Sequence, residues 1–265
     1  MSHSAPMLSV CCCLMFTQNK VSEETEMQWK WRSRSAPSKE TLKAINTELA
    51  HASPQDIIAW AAAMHPKKLC LATMLDAEGC ALVAMIAETA VDIPVFMLDT
   101  GYLSHDVHAL RELLQRQYGV AIQLVYPSLV HATFEAEYGP LVMNNPAQCC
   151  RLNRWELVRD LFHNYSARLA ARRQALCPVM HDVEIAVWEE RFKIVQVNPL
   201  TNWTDVQLLQ YLDEQRIPHS GLSGTGSAKC CCAACPFPWE DVVPIDEQRS
   251  VQAKGNIKRF WASWR

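Results

Sequence analysis

Between residues 66 and 126, short apolar runs alternate with helix-length stretches, and this alternation limits the fold more than any other feature of the chain. Residues 69–75 form a short apolar run and 77–90 a helix-forming stretch. Ile93-Pro94-Val95-Phe96-Met97-Leu98 is a second buried-strand candidate. A further helix follows: Ser104 is placed to cap it, Val107, Leu110, Leu114 and Tyr118 make one apolar stripe, and Gly119 is placed to end it. Residues 120–126 read as the third strand. Such a βαβαβ run predicts an α/β fold, a parallel sheet flanked by helices, with its ligand site beyond the carboxyl ends of the strands. Functional groups are therefore expected after Leu75 and after Leu98.

The flanks are less regular. Residues 1–16 include an apolar stretch from Leu8 to Phe16 with no basic residue before it, which reads as a leader rather than a signal peptide. Residues 23–40 are charged and Ser-rich, with Trp29 and Trp31 among them. The organisation expected is a poorly ordered arm over 1–45, an α/β domain over 46–245 and a tail over 246–265. A helix over 53–64 starts from Ser53, with Pro54 at its first position and Asp56 in its first turn. Further on, 149–162 and 166–175 read as helical, and 183–188 with 192–197 as a strand pair. A last helix begins at Thr204, where Gln207 completes a capping box.

With 25 basic and 28 acidic residues the formal charge is −3, so no bulk field draws the chain to nucleic acid or to an anionic membrane. No run of about eighteen apolar residues is present to span a bilayer. The 12 cysteines include the adjacent runs Cys11-Cys12-Cys13, Cys149-Cys150 and Cys230-Cys231-Cys232. Neighbouring cysteines rarely bridge each other, which favours a cytoplasmic chain with reduced thiols over a disulfide framework. A lone cysteine such as Cys70, Cys80 or Cys177 reads as a small buried apolar residue. The pairs Cys149-Cys150 and Cys232-Ala233-Ala234-Cys235 read instead as four metal-ligating thiolates. Zinc and an iron–sulfur cluster both accept four thiolates. The vicinal pair favours the cluster, because two neighbouring irons could take one thiolate each. Cys230 and Cys231 lie close enough to substitute for Cys232.

At these residues the sequence resembles the assimilatory sulfonucleotide reductases, the adenylyl-sulfate and phosphoadenylyl-sulfate reductases of the adenine-nucleotide α-hydrolase (PP-loop) superfamily. Leu98-Asp99-Thr100-Gly101 is similar to the family's LDTG, and Cys149-Cys150-Arg151-Leu152-Asn153-Arg154 to its CCxxRK. Arg172-Arg173-Gln174 echoes its RRDQS, and Asn198-Pro199-Leu200-Thr201-Asn202-Trp203 its NPLxxW. From Pro218, the residues Leu222, Gly226, Cys232, Ala233 and Cys235 fall on its final cysteine motif without a gap. The resemblance covers about Pro54 to Cys235.

It implies a 4Fe-4S cluster on Cys149, Cys150, Cys232 and Cys235, and a sulfonucleotide site at Leu98, Asp99, Thr100, Gly101, Arg172 and Arg173. Implied partners are adenylyl sulfate or phosphoadenylyl sulfate as substrate and thioredoxin or glutaredoxin as electron donor, with oligomeric state left open. Three departures stand out. The family's S-x-S-x-A-E-D aligns with Thr73-Met74-Leu75-Asp76-Ala77-Glu78-Gly79, which keeps Ala77 and Glu78 but lacks the second serine and the final Asp. Asn153 replaces an arginine, and Arg154 a lysine. No cysteine follows Cys235, whereas the family's nucleophile lies in a terminal E-C-G-L-H. The alternative function is thus a catalytically impaired paralogue that binds a cluster or a nucleotide, and a third reading is a scaffold holding structural zinc.

Overall fold

The computed structural model describes residues 35–103, 105–176 and 183–219. Its strands are β1 (Leu69–Thr73), β2 (Val95–Leu98), β3 (Ile122–Val125), β4 (Ala167–Leu169), β5 (Ala186–Glu189) and β6 (Ile194–Val197). They form one sheet in the order β3-β2-β1-β4-β6-β5, parallel throughout except for β5, which runs antiparallel to β6 at an edge. The helices are α1 (Lys39–Glu48), α2 (Pro54–Met64), α3 (Ala77–Thr89), α4 (His105–Tyr118) and α5 (His131–Tyr138). The short α6 (Leu141–Asn144) and α7 (Pro146–Cys150), then α8 (Glu156–Phe162) and α9 (Asp205–Glu214), complete them. The strand order reverses at β1, which has β2 on one side and β4 on the other, so the crevice for a ligand opens at the carboxyl ends of β1 and β4.

Helix starts follow the local chemistry. The Ser53 hydroxyl accepts the Asp56 N–H at 3.1 Å. At α9 the Thr204 hydroxyl accepts the Gln207 N–H at 3.2 Å while the Gln207 amide accepts the Thr204 N–H at 2.9 Å, two otherwise orphaned donors satisfied reciprocally. α1, which the sequence reading did not foresee, crosses residue 45, where the arm was expected to end. Ser38 caps it, and Asn46 on it both donates to the Ala186 carbonyl at 2.9 Å and accepts the Ala186 N–H at 2.8 Å. These two bonds cover part of the exposed edge of β5, a place where unpaired backbone groups invite other chains.

Residues 166–175 are not the expected helix. They hold β4, a loop and a 3-10 turn (Gln174–Leu176). Ala167 and Leu169 are buried between β1 and β6, whose facing backbone groups require a partner, and that demand overrides the helical propensity of an Ala- and Arg-rich stretch. The helix expected over 149–162 is present, but its middle, Arg151–Trp155, widens into a π-helical turn between α7 and α8.

One sheet face is covered by α5 to α8 through a cluster that includes Phe96, Phe134, Trp155, Phe162 and Ile194. On α3, every residue from Ala77 to Ile86 is buried, and the helix packs against α2, α4 and α9. Among the described residues, no helix is long and apolar enough to cross a membrane.

Candidate functional site

Three loops reach the ligand end of the sheet. The first leaves β1 through Leu75, a non-glycine residue at φ 58°, a conformation that costs roughly 1–2 kcal/mol and needs support. The support is the buried Leu75 side chain and the Thr73 hydroxyl, which accepts the Leu75 N–H at 3.0 Å. Asp76 then caps α3, its Oδ1 accepting the Gly79 N–H at 2.8 Å. Gly79 admits no side chain, because a Cβ there would lie 2.1 Å from Thr73 Oγ1 and 2.7 Å from Asp76 Oδ1. Burial and the nearby Glu78 carboxylate push Asp76 up to about 6, against the pull of the Gly79 amide and the Arg154 guanidinium.

The second loop follows β2 and contains Leu98, Asp99, Thr100 and Gly101, the first three of them buried. Asp99 Oδ1 accepts the Gly101 N–H at 2.9 Å, and its Oδ2 lies 3.3 Å from His108 Nε2 on α4. Gly101 sits at φ 80°, with the His131 Cβ only 2.8 Å from where a side chain would begin, so glycine is required twice over. His131 on α5 meets Tyr102 edge-on at 4.4 Å between centroids, and Glu135 accepts the Tyr102 hydroxyl at 3.2 Å. His108, His131 and Glu135 therefore brace this loop. No spacing in the sequence announces them.

The third loop follows β4. Arg172 is half-buried, and Arg173 is turned inward with no exposed side-chain surface. Where a substrate-facing arginine was expected at 173, the guanidinium binds Glu78 Oε1 at 2.6 Å, Asp205 Oδ1 at 2.8 Å and the Trp203 carbonyl at 3.2 Å. Nor does the Arg172-Arg173 pair lie on the helix expected over 166–175; it falls in the loop between β4 and the 3-10 turn. Arg173 instead ties the start of α3 to the β4 loop and to the first turn of α9.

Cys149 and Cys150 end α7, each about 7% exposed and both reduced. Asn153, on the π-helical turn, donates to Cys149 Sγ at 3.7 Å. Two adjacent soft thiols with an N–H directed at sulfur suit iron–sulfur ligation. Cys232 and Cys235 lie outside the described residues, as do Cys230, Cys231 and Cys177. Among the described residues no group of three or more His, Cys, Asp or Glu side chains is arranged to hold a metal. Leu98, Tyr102, Cys149 and Cys150 belong to one apolar cluster. Beside it, Arg154 and Arg191 lie over the Trp155 ring, 5.1 and 4.6 Å from its centroid. Cys70 and Cys80 are fully buried. Burial pushes the Cys70 thiol up to about 12 and raises Cys80 too, with the Asp76 and Glu78 charges adding to the latter. Both stay protonated and inert.

Comparison with known proteins bears on the family and the fold. A model of the phosphoadenosine phosphosulfate reductase domain matches residues 68–238. The adenosine 5'-phosphosulfate reductase of Shouchella clausii is 26% identical over 216 residues, covering 81% of this chain and 88% of that protein. The phosphoadenosine 5'-phosphosulfate reductase of Gloeobacter violaceus is 27% identical over 222 residues, covering 82% and 91%. In fold, the chain resembles the phosphoadenylyl-sulfate reductase of Candida auris, solved as a phosphate complex, with a TM-score of 0.63 at 23% identity over 79% of this chain and 99% of that one.

Proposed function

The chain belongs to the phosphoadenosine phosphosulfate reductase domain family, and from that membership we propose that it reduces adenylyl sulfate, or its 3′-phosphorylated form, to sulfite in cytoplasmic sulfate assimilation. The observation that carries this reading is the adjacent pair of free thiols at Cys149 and Cys150, buried in the same apolar cluster as Leu98 and Tyr102, the residues that flank Asp99, Thr100 and Gly101. In the family's reaction a thiolate attacks the substrate's sulfur and the AMP moiety leaves; in this chain Cys230 and Cys231 are the thiols near the final cysteine motif that the ligand set does not use. A second thiol then cleaves the S-sulfo thiol, giving sulfite and a disulfide, a two-electron reduction for which thioredoxin or glutaredoxin is the donor.

The roles divide among the loops. Leu98, Asp99, Thr100 and Gly101 form the nucleotide wall. Arg172 is the cation offered to sulfate and phosphate oxygens from the β4 loop, and Arg173 fixes that loop by holding Glu78. Cys149 and Cys150, with Cys232 and Cys235, are the residues that would hold a 4Fe-4S cluster, which supplies a redox-active iron centre when bound. The test is sulfite release from adenylyl sulfate and from phosphoadenylyl sulfate, under anaerobic conditions with each donor. No sulfite from either substrate would defeat the proposal.

A second reading is nucleotide binding without turnover; among the described residues, the two cysteines outside the adjacent pair, Cys70 and Cys80, are buried thiols raised by that burial. Tight adenylyl-sulfate binding with no sulfite release would select it.

A further inference from the structure

We propose that the Asp76 carboxylate is a built-in anion that keeps nucleotide phosphate off the loop between β1 and α3, so that this chain selects its ligand through its other loops. The inference rests on the adenine-nucleotide reading above. A loop that grips phosphate must present backbone N–H groups and small hydroxyls to the anion at a helix start. Here two of these N–H groups already have a partner within the loop. The Gly79 N–H is taken by Asp76 Oδ1 at 2.8 Å, and the Leu75 N–H by Thr73 Oγ1 at 3.0 Å. The carboxylate is wedged in place, since Asp76 Oδ1 and Thr73 Oγ1 fill the space a side chain at position 79 would need. Leu75, buried at φ 58°, turns the backbone so that its own side chain, not a hydroxyl, lies at the turn. Behind the loop, the Glu78 carboxylate is taken by Arg173, so Asp76 is the carboxylate that caps the start of α3. An incoming phosphate would meet the Asp76 carboxylate already seated on the Gly79 N–H.

The experiment compares the full-length chain with Asp76→Asn and Asp76→Ser, both of which retain a side chain able to cap α3. Calorimetric titration with AMP and with uncharged adenosine reads the effect. Both variants are expected to bind AMP at least tenfold more tightly than the unaltered chain, while adenosine affinity stays the same in all three. AMP affinity unchanged in both variants overturns the inference. In that event, adenosine binding to all three chains leaves the nucleotide reading standing, whereas its absence from all three removes that reading as well. Thermal melts of each variant confirm that the fold is retained.

Discussion

His65 offers a measurable link between burial and acid stability. Its ring is 3% exposed, and Nδ1 lies 2.8 Å from Ser166 Oγ. It sits at the C-terminal cap of α2, where a helix dipole favours a positive imidazolium by about 0.3–1 kcal/mol. Desolvation opposes this and wins, pushing the group from its ordinary 6.5 to about 4. The unfolded chain therefore takes up this proton before the folded one does. The stability held by the neutral ring is complete above about 6.5 and is lost as pH falls toward about 4. At about 1.4 kcal/mol per unit, the loss is about 3 kcal/mol.

Asp76 acts in nearly the same window with the opposite sign. Its carboxyl is raised from 3.8 to about 6, so the folded state binds that proton more tightly and stability falls as pH rises through this range, again by about 3 kcal/mol. The two effects oppose each other in the unaltered chain, so its own acid profile understates both. The informative measurement is urea unfolding of the chain and of His65→Gln from neutral pH down to about 4. The unaltered chain should lose about 3 kcal/mol more than the variant over that range. A difference between the two proteins that stays flat with pH would refute the reasoning.

Other expectations are simpler. Arg173→Ala strands Glu78 without its cation in the interior and should cost about 3–5 kcal/mol by chemical denaturation. Replacing both partners with apolar residues of similar volume should recover much of that loss. Gly79→Ala forces a Cβ against Thr73 Oγ1 and should cost about 1–3 kcal/mol, less in a Thr73→Ala background. Thr204→Ala removes the α9 cap and should lower stability by about 1 kcal/mol in the same assay. For the metal, Cys149→Ser should reduce iron and acid-labile sulfide content in anaerobically prepared protein, and unchanged iron content would remove Cys149 from the ligand set.

The parts of this molecule that could be read from its sequence are those set by neighbours along the chain. Ser53 and the Thr204–Gln207 box announce helix starts because cap and partner lie three residues apart. The strand-helix alternation from Leu69 to Val125 is legible because periodicity is local. β4 was misread because its three residues carry Arg168 at their centre, and only the flanking strands make Ala167–Leu169 extended. Arg173 could be found as a motif residue, but its inward turn could not, since Glu78 lies 95 positions away. The braces His108, His131 and Glu135 escaped for a similar reason: each gains meaning only once α4 and α5 fold over the β2 loop.

α3 has a consequence for how such a site changes over time. Because the helix is walled in along its first ten residues, it has no freedom to slide or tilt toward a new ligand. Any retuning at its leading end must come from exchanging single side chains at 75, 76 or 79 rather than from a hinge. A site built this way gains or loses an anion in discrete steps, one residue at a time, while the scaffold beneath it stays put.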